Sequence, residues 1–469
     1  MTILSTGKSP VRHLVAVIAV VSLYLAAISD RAFAEAVFEK PLFAEKLPSS
    51  PKVFSDSETS MKPGEAFTLP RCYALSLKQS ELIAIDADRV KETEARFLQA
   101  LSIMLPHVTF LSTDTQEASP NDAGTTFSTL KPAKSSERKF NYTQTIFSGF
   151  KAFAGMKGAN LERKQRINEM VRAEQLLLVD VSDAFYTLVE KREDLAALQM
   201  IRKALMRRML NLKRREDLGR SRQSEVVNAK AQFYGVEADI RVVENEEDIS
   251  RQILEFLIGG PIGDIKDIYD IPSGLMPIEH YLSRSMLRPD VEAAKYAWQA
   301  ARQAYFIADS DFLPTVDIGG NYWIQRTGFD SGTDWDIYLK VTVPIFEGTE
   351  TLGRSKEYQL KMHESLLSYD RSKRMAPYDI RDAYLRLQTA LDVHECMKKT
   401  LATSRLNYTL QKKDYERSLV NNLDVLAAIQ TLQTAERNYI RALYAAKRLY
   451  WRLRVAAAED ITESLSDVI

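Results

Sequence analysis

Cysteine is almost missing: Cys72 and Cys396 are the only two in 469 residues. Two thiols cannot make a disulfide framework. One bridge is possible, and a pair of buried free thiols is the favoured reading. Histidine is scarce too. His13, His107, His280, His363 and His394 show no metal-ligand spacing, and His394 and Cys396 sit too close in sequence to share one helix face. There is no glycine-rich phosphate loop and no nucleophile elbow. An enzyme with its own metal, cofactor or nucleophile is therefore not expected. Net charge is absent as well: 63 Lys and Arg balance 63 Asp and Glu. That argues against a nucleic-acid partner, whose footprint is basic. Glycine (18) and proline (16) are few, as in chains built of long helices. Past residue 34 there is no long apolar run, so any part of the chain lying in a membrane does so as strands.

What is present begins with a secretory signal over residues 1–34. Lys8 and Arg12 precede the apolar run Leu14 to Ile28, and Ala32-Phe33-Ala34 offers a cleavage site. The alternative, a membrane anchor, needs about 20 apolar residues. No cysteine follows the site to carry a lipid. Residues 35–66 read as a mobile leader rich in Pro, Ser and Lys.

Alternation marks the strands. Trp335, Ile337, Leu339, Val341, Val343 and Ile345 share one face, with Asp336, Tyr338, Lys340 and Thr342 on the other. Pro344 ends the ladder, and a helix is expected to start near Glu347-Gly348. The same junction occurs earlier, where Phe140, Tyr142, Gln144 and Ile146 alternate with Asn141, Thr143 and Thr145. Ile146-Phe147-Ser148-Gly149 matches Ile345-Phe346-Glu347-Gly348 at a separation of 199 residues. Gly219 and Ser418, at turns within helical stretches, are 199 apart again, so the chain is read as two copies. Residues 67–260 form the first repeat, 261–287 a connector, 288–456 the second repeat and 457–469 a tail.

Within the first copy a helical pattern runs from about Thr68 to Met104, and Pro106 stops it. His107 to Ser112 is a short strand, Thr113 to Glu137 a polar loop, and Arg138 to Phe147 the return strand. Leu313-Pro314 repeats Leu105-Pro106 before a strand over Thr315 to Arg326. The chain thus supplies four strands of about the length of a tilted transmembrane β-strand, each with an apolar and a polar face. Four cannot close a barrel alone, and hydrocarbon does not tolerate open edges, so several chains must contribute. A small soluble sheet packed on helices is the competing reading. The arms carry coiled-coil spacing, as in Ile380, Tyr384, Leu387 and Leu391. The fold class expected is mainly α with a small β part.

With these residues in view, the chain resembles the TolC-like outer-membrane efflux channels. The likeness rests on the signal peptide, the two copies, Leu-Pro before each strand pair, Ile-Phe-x-Gly after it, and an Asp/Glu-Val turn at each arm's end. The resemblance implies a homotrimer whose twelve strands close one barrel, continued by a helical tunnel through the periplasm. It implies a periplasmic adaptor, an inner-membrane pump and outer-membrane lipid as partners, with no cofactor and no nucleic acid. It implies export of small molecules or proteins, as the exit duct of a tripartite efflux or type I secretion system. The alternative is a soluble periplasmic coiled-coil scaffold or adaptor protein. By the same resemblance Asp424, Tyr415 and Glu225 hold a periplasmic gate. Gly219, Arg220, Ser221 and Arg222, with Ser418, Asn421 and Asn422, face the adaptor, and Trp335, Ile337, Leu339, Val341 and Val343 face lipid. Ser418 stands where the family usually has glycine, Val420 where an arginine link occurs, and Ala427 where a second acid occurs. Lys203, Arg207, Arg208, Lys213, Arg214 and Arg215 read as a solvated helix face.

Overall fold

The computed structural model describes residues 66–116, 134–272, 274–327 and 332–459. The secretory signal and nearly all of the leader and tail lie outside them. Four strands form one antiparallel sheet in the order β1 (His107–Gln116), β2 (Lys134–Ser148), β3 (Thr315–Arg326) and β4 (Trp335–Thr342). β1 runs four residues beyond the expected Ser112 and β2 starts four before Arg138. The added residues are Ser, Thr, Asp, Gln, Lys and Glu. Their polarity reads as loop in sequence, but cross-strand pairing such as Thr113 with Glu137 holds them in the ladder. β4 stops at Thr342, so Val343 lies just past its end.

The register separates the two faces. Phe110, Phe140, Tyr322 and Trp335 lie opposite one another in a row across all four strands, continued below by Ile318 opposite Leu339 and Val316 opposite Val341. The opposite face is polar and internally bonded. Asn141 donates to Asn321 (3.0 Å), Asn321 to Asp336 (2.9 Å) and Thr145 to Asp317 (2.7 Å). There the Tyr338 ring lies over Gly319, where a Cβ would come within 2.3 Å of it.

Helices α1 (Leu69–Gln79) and α2 (Glu81–Ser102) replace the single helix expected from Thr68. Ser80 adopts extended backbone between them, and its hydroxyl accepts from the Ile83 amide to cap α2. After β2 come α3 (Lys151–Asp217) and α4 (Gln223–Ile258). A short α5 (Ile278–Leu282) precedes α6 (Pro289–Asp309), which opens on proline at its first position. After β4 come α7 (Glu350–Glu416) and α8 (Asn422–Ala456). The helices α3 and α7 each have 67 residues, roughly 100 Å at 1.5 Å per residue. Nearest the sheet the neighbours run α2–α3–α6–α7; nearest the turns they run α4–α3–α8–α7. Each row is one helix thick, with α3 and α7 continuous through both.

The seams are coiled-coil-like. On α3, Leu198, Ile201, Leu205 and Leu212 are buried against Ala229, Val236 and Ile240 of α4 and Val425, Ile429 and Leu432 of α8. A second cluster joins Leu178, Phe185 and Leu188 of α3 to Tyr444, Trp451 and Val455 of α8, with Leu69, Cys72 and Tyr73 of α1. Ile380 and Leu387 of α7 are buried with Tyr384 and Leu391 packed beside them. Cys72 is buried and free, as favoured above; Cys396 is also free but exposed, because it falls on the outer side of α7.

Polar contacts cross the α3–α8 seam as well. Arg437 donates from Nε and Nη2 to Asp194, which is only 1% exposed. Removing one member of such a pair strands a charge and costs about 3–5 kcal/mol. Asp194→Ala is expected to lower the melting temperature of the detergent-solubilised protein, and the double change Asp194→Leu with Arg437→Met to recover most of the loss. Equal melting of the single variant and the parent would remove this pair from the fold's support.

Candidate functional site

The two turns farthest from the sheet are built alike. In the first, Gly219 has φ +72°, the Gly219 amide donates to Glu216 O (2.8 Å) and the Arg220 amide to Arg215 O (2.7 Å). In the second, Ser418 has φ +63°, and the amides of Ser418 and Leu419 donate to Tyr415 O (3.0 Å) and Asp414 O (2.9 Å). Both are helix ends closed by a left-handed residue. A Cβ at Gly219 would meet nothing, so glycine serves the backbone angle alone. Ser418 holds the same angle at a cost of about 1 kcal/mol.

The return helices are capped by acids at equivalent positions. Asn421 Oδ1 accepts from the amides of Leu423 (2.8 Å) and Asp424 (3.1 Å), while Asp424 Oδ2 accepts from the Asn421 amide (3.0 Å). This capping box leaves Asp424 exposed at the start of α8. Glu225 occupies the matching place on α4 and accepts from the Ser221 hydroxyl. Both carboxylates face the positive end of a helix.

Between the turns lies a clasp. The Tyr415 ring is flanked by two guanidinium groups of α3, Arg208 at 3.6 Å and Arg215 at 4.7 Å from its centroid. Arg208 Nε donates to Asn422 Oδ1 at 2.8 Å. Burial draws the Arg208 guanidinium below its ordinary pKa, with the nearby Tyr415 pulling the other way. One residue thus bridges α3 to both α7 and α8. Arg208 Nη2 and Asn422 Nδ2 are buried donors with no acceptor among the described residues.

Several expected placements change. Asn422 is fully buried, so it supports the second turn from inside and does not present itself to a partner. Arg208 and Arg215 leave the solvated face for the clasp, because they continue the seam through Leu205 and Leu212. Arg220, Arg222, Ser418 and Asn421 are exposed, as is Gly219, and Ser221 is half-buried. The clasp brings Tyr415 and Asn422 together, while Asp424 stays apart from it. On the sheet, Trp335, Ile337, Leu339, Val341 and Val343 are all exposed, from 55% to 64%. Arg208 was the residue missed as a functional candidate, and its seam position was the signal that could have found it.

A row of long coiled-coil helices carrying a short, one-face-apolar sheet defines the channel type of outer-membrane protein. The family model described as "Outer membrane efflux protein" matches residues 73–260 and 285–459, and the chain belongs to that family. The alkaline protease secretion protein AprF of Pseudomonas aeruginosa is 24% identical over 298 residues, 60% of this chain and 61% of that protein. The outer membrane protein TolC of Vibrio cholerae is 20% identical over 318 residues, covering 65% of this chain and 72% of it. Among solved structures, the outer membrane protein VceC of Vibrio cholerae superposes with a TM-score of 0.73 at 19% identity, over 83% of this chain and 96% of VceC. That likeness is one of fold.

Loss of a hydrogen bond to a charged group costs about 1.5–3 kcal/mol. Arg208→Ala is therefore expected to speed amide exchange between Leu419 and Leu426 on the order of tenfold or more. Unchanged exchange would show that Arg208 holds nothing there.

Proposed function

We propose that three copies of this chain close a twelve-stranded barrel in the outer membrane, continued as an α-helical tunnel in the periplasm. The assembly is the exit duct of a tripartite efflux or type I secretion system. A periplasmic adaptor and an inner-membrane pump supply it, and it does no chemistry of its own. Hydrolysis of ATP, where the system needs it, belongs to the pump.

One observation carries this reading: a sheet with one apolar face and two unpaired edges, β1 and β4. In hydrocarbon each unpaired backbone group costs several kcal/mol, so the edges must meet neighbours. Trp335 to Val343 spans roughly 27 Å along the chain at 3.4 Å per residue, or about 20 Å of height at a 40° tilt. Ile345 and Phe346, 94% and 85% exposed, extend that band toward the ~25 Å typical of such barrels. A soluble scaffold or adaptor has no use for so tall an apolar wall.

The helices supply a second, independent support. α4 exposes Val227, Tyr234, Val242, Ile249 and Phe256 at near-heptad spacing, and the turn-side half of α7 exposes Leu385 and Val393. These stripes lie on the two outer helices of the row, so they pair head to tail between copies and close a ring. Under this reading the Arg208 clasp, with Tyr415 and Glu225, holds the tunnel's narrow end. Asp424 from three chains rings the mouth, and the turns at Gly219 to Arg222 and at Ser418 and Asn421 receive the adaptor.

Leu339→Asp places a charge on the lipid face and is expected to abolish heat-modifiable trimers in the outer-membrane fraction; normal trimer yield would reject a lipid-facing wall. Native mass measurement of the parent should give three chains, and a monomer without pore activity would reject the reading outright. Asp424→Asn keeps an acceptor for the cap while removing the charge. It should lower cation preference in bilayer recordings, and an unchanged reversal potential would take Asp424 out of the mouth.

A further inference from the structure

From Lys203 to Glu225 the chain carries eight basic residues against three acidic ones, within a protein of zero net charge. A solvated face would offset them locally, but the three carboxylates are already engaged. Glu216 and Asp217 pair with Lys213 at 2.9 and 3.2 Å, and Glu225 is held by Ser221. Arg208 and Arg215 are taken by Tyr415. Lys203, Arg207, Arg214, Arg220 and Arg222 remain, all exposed and with no ion pair among the described residues. The second turn differs: Lys412, Lys413 and Arg417 stand among Asp414 and Glu416. The excess therefore belongs to the first turn and the flank of α3 above it.

We infer that the adaptor docking on this surface presents a run of carboxylates to it. The inference rests on the proposed docking of an adaptor at these turns and adds the sign of its charge. Four of the five unpaired cations are arginines, whose planar forks take carboxylates in bidentate fashion. The patch runs from the turn back to Lys203, roughly 22 Å along the helix. A flat anionic membrane touching the arm's end reaches only the turn, whereas an elongated acidic protein segment lying alongside reaches the whole flank. Exposed Leu218 beside the arginines adds an apolar contact that a protein side chain can cover. Such pairing steers association and weakens with salt.

The test places a photocrosslinking residue at Ser221 of the full-length protein in its native host and maps the adduct by mass spectrometry. The expected product is a periplasmic protein peptide rich in Asp and Glu around the attachment point. Its yield should fall at least tenfold in Arg220→Glu/Arg222→Glu, with trimer yield unchanged. A neutral or basic peptide, an adduct that survives charge reversal, adducts to phospholipid alone, or no adduct from assembled conducting trimers each overturns the inference. Absence of conducting trimers in the parent rejects the proposed function instead.

Discussion

Backbone pairing is the constraint that orders this molecule. A strand in hydrocarbon must place every N–H and C=O on a neighbour, because no water is there to take them. The sheet satisfies this internally at three ladders and leaves it open at β1 and β4. Its side chains leave no freedom in how the sheet sits. One face is a wall of Phe, Tyr, Trp, Ile, Leu and Val, and the other is a network of Asn, Thr and Asp bonded to one another. A sheet of this kind is incomplete in a single chain, and the proposed closure by neighbouring copies is what completes it. The outer helices of the row and the open strand edges lie at the same two sides of the chain.

The departures from strand to helix and the ends of the long helices are made with unusual backbone. Left-handed residues occur at Gly149, Phe150, Gly219 and Gly259, and again at Gly348, Thr349, Ser418 and Ala458. Each of the second set lies 199 residues after its counterpart. Half of these eight positions hold residues other than glycine, at a cost of about 1 kcal/mol each for the lost Cβ clearance. Such angles persist where the surroundings demand them. Here the demand is equal arm length: a residue gained or lost in one arm would rotate its seam by about 100° relative to its neighbour.

Much of this was legible in the sequence because the relevant signals are periodic. The apolar face of β4 and the seam of α7 through Ile380, Tyr384 and Leu387 depend on spacing alone, and spacing survives in a single sequence. What failed was local and chemical. The break at Ser80 is one residue of extended backbone inside an unbroken apolar pattern. The outer ends of β1 and β2 are polar and look like loop until their partner strand is known. Cys396 is exposed because of where it falls around α7, which composition does not reveal. Arg208 and Asn422 were grouped by residue type, as surface cation and turn amide, although their seam positions on α3 and α8 pointed inward.

Hydrophobic seams with heptad spacing hold helices together but define their alignment poorly, since a slip of seven residues restores the same contacts. The polar bridges between α3 and α8 remove that freedom. Arg208 meets Asn422, Asp194 meets Arg437, Glu190 meets Arg448 and Asp183 meets Arg452. As one number falls the other rises, as antiparallel helices in one register require. Above the tip α3 gives the acids and α8 the arginines; at the tip α3 gives the arginine and α8 a neutral amide acceptor. A slip of one heptad, about 10 Å, would break all four at once and leave Asp194 buried without its guanidinium. The same bridges therefore decide which residues of the two turns stand side by side, and it is this alignment that puts Tyr415 between Arg208 and Arg215 while the remaining arginines of the first turn face outward.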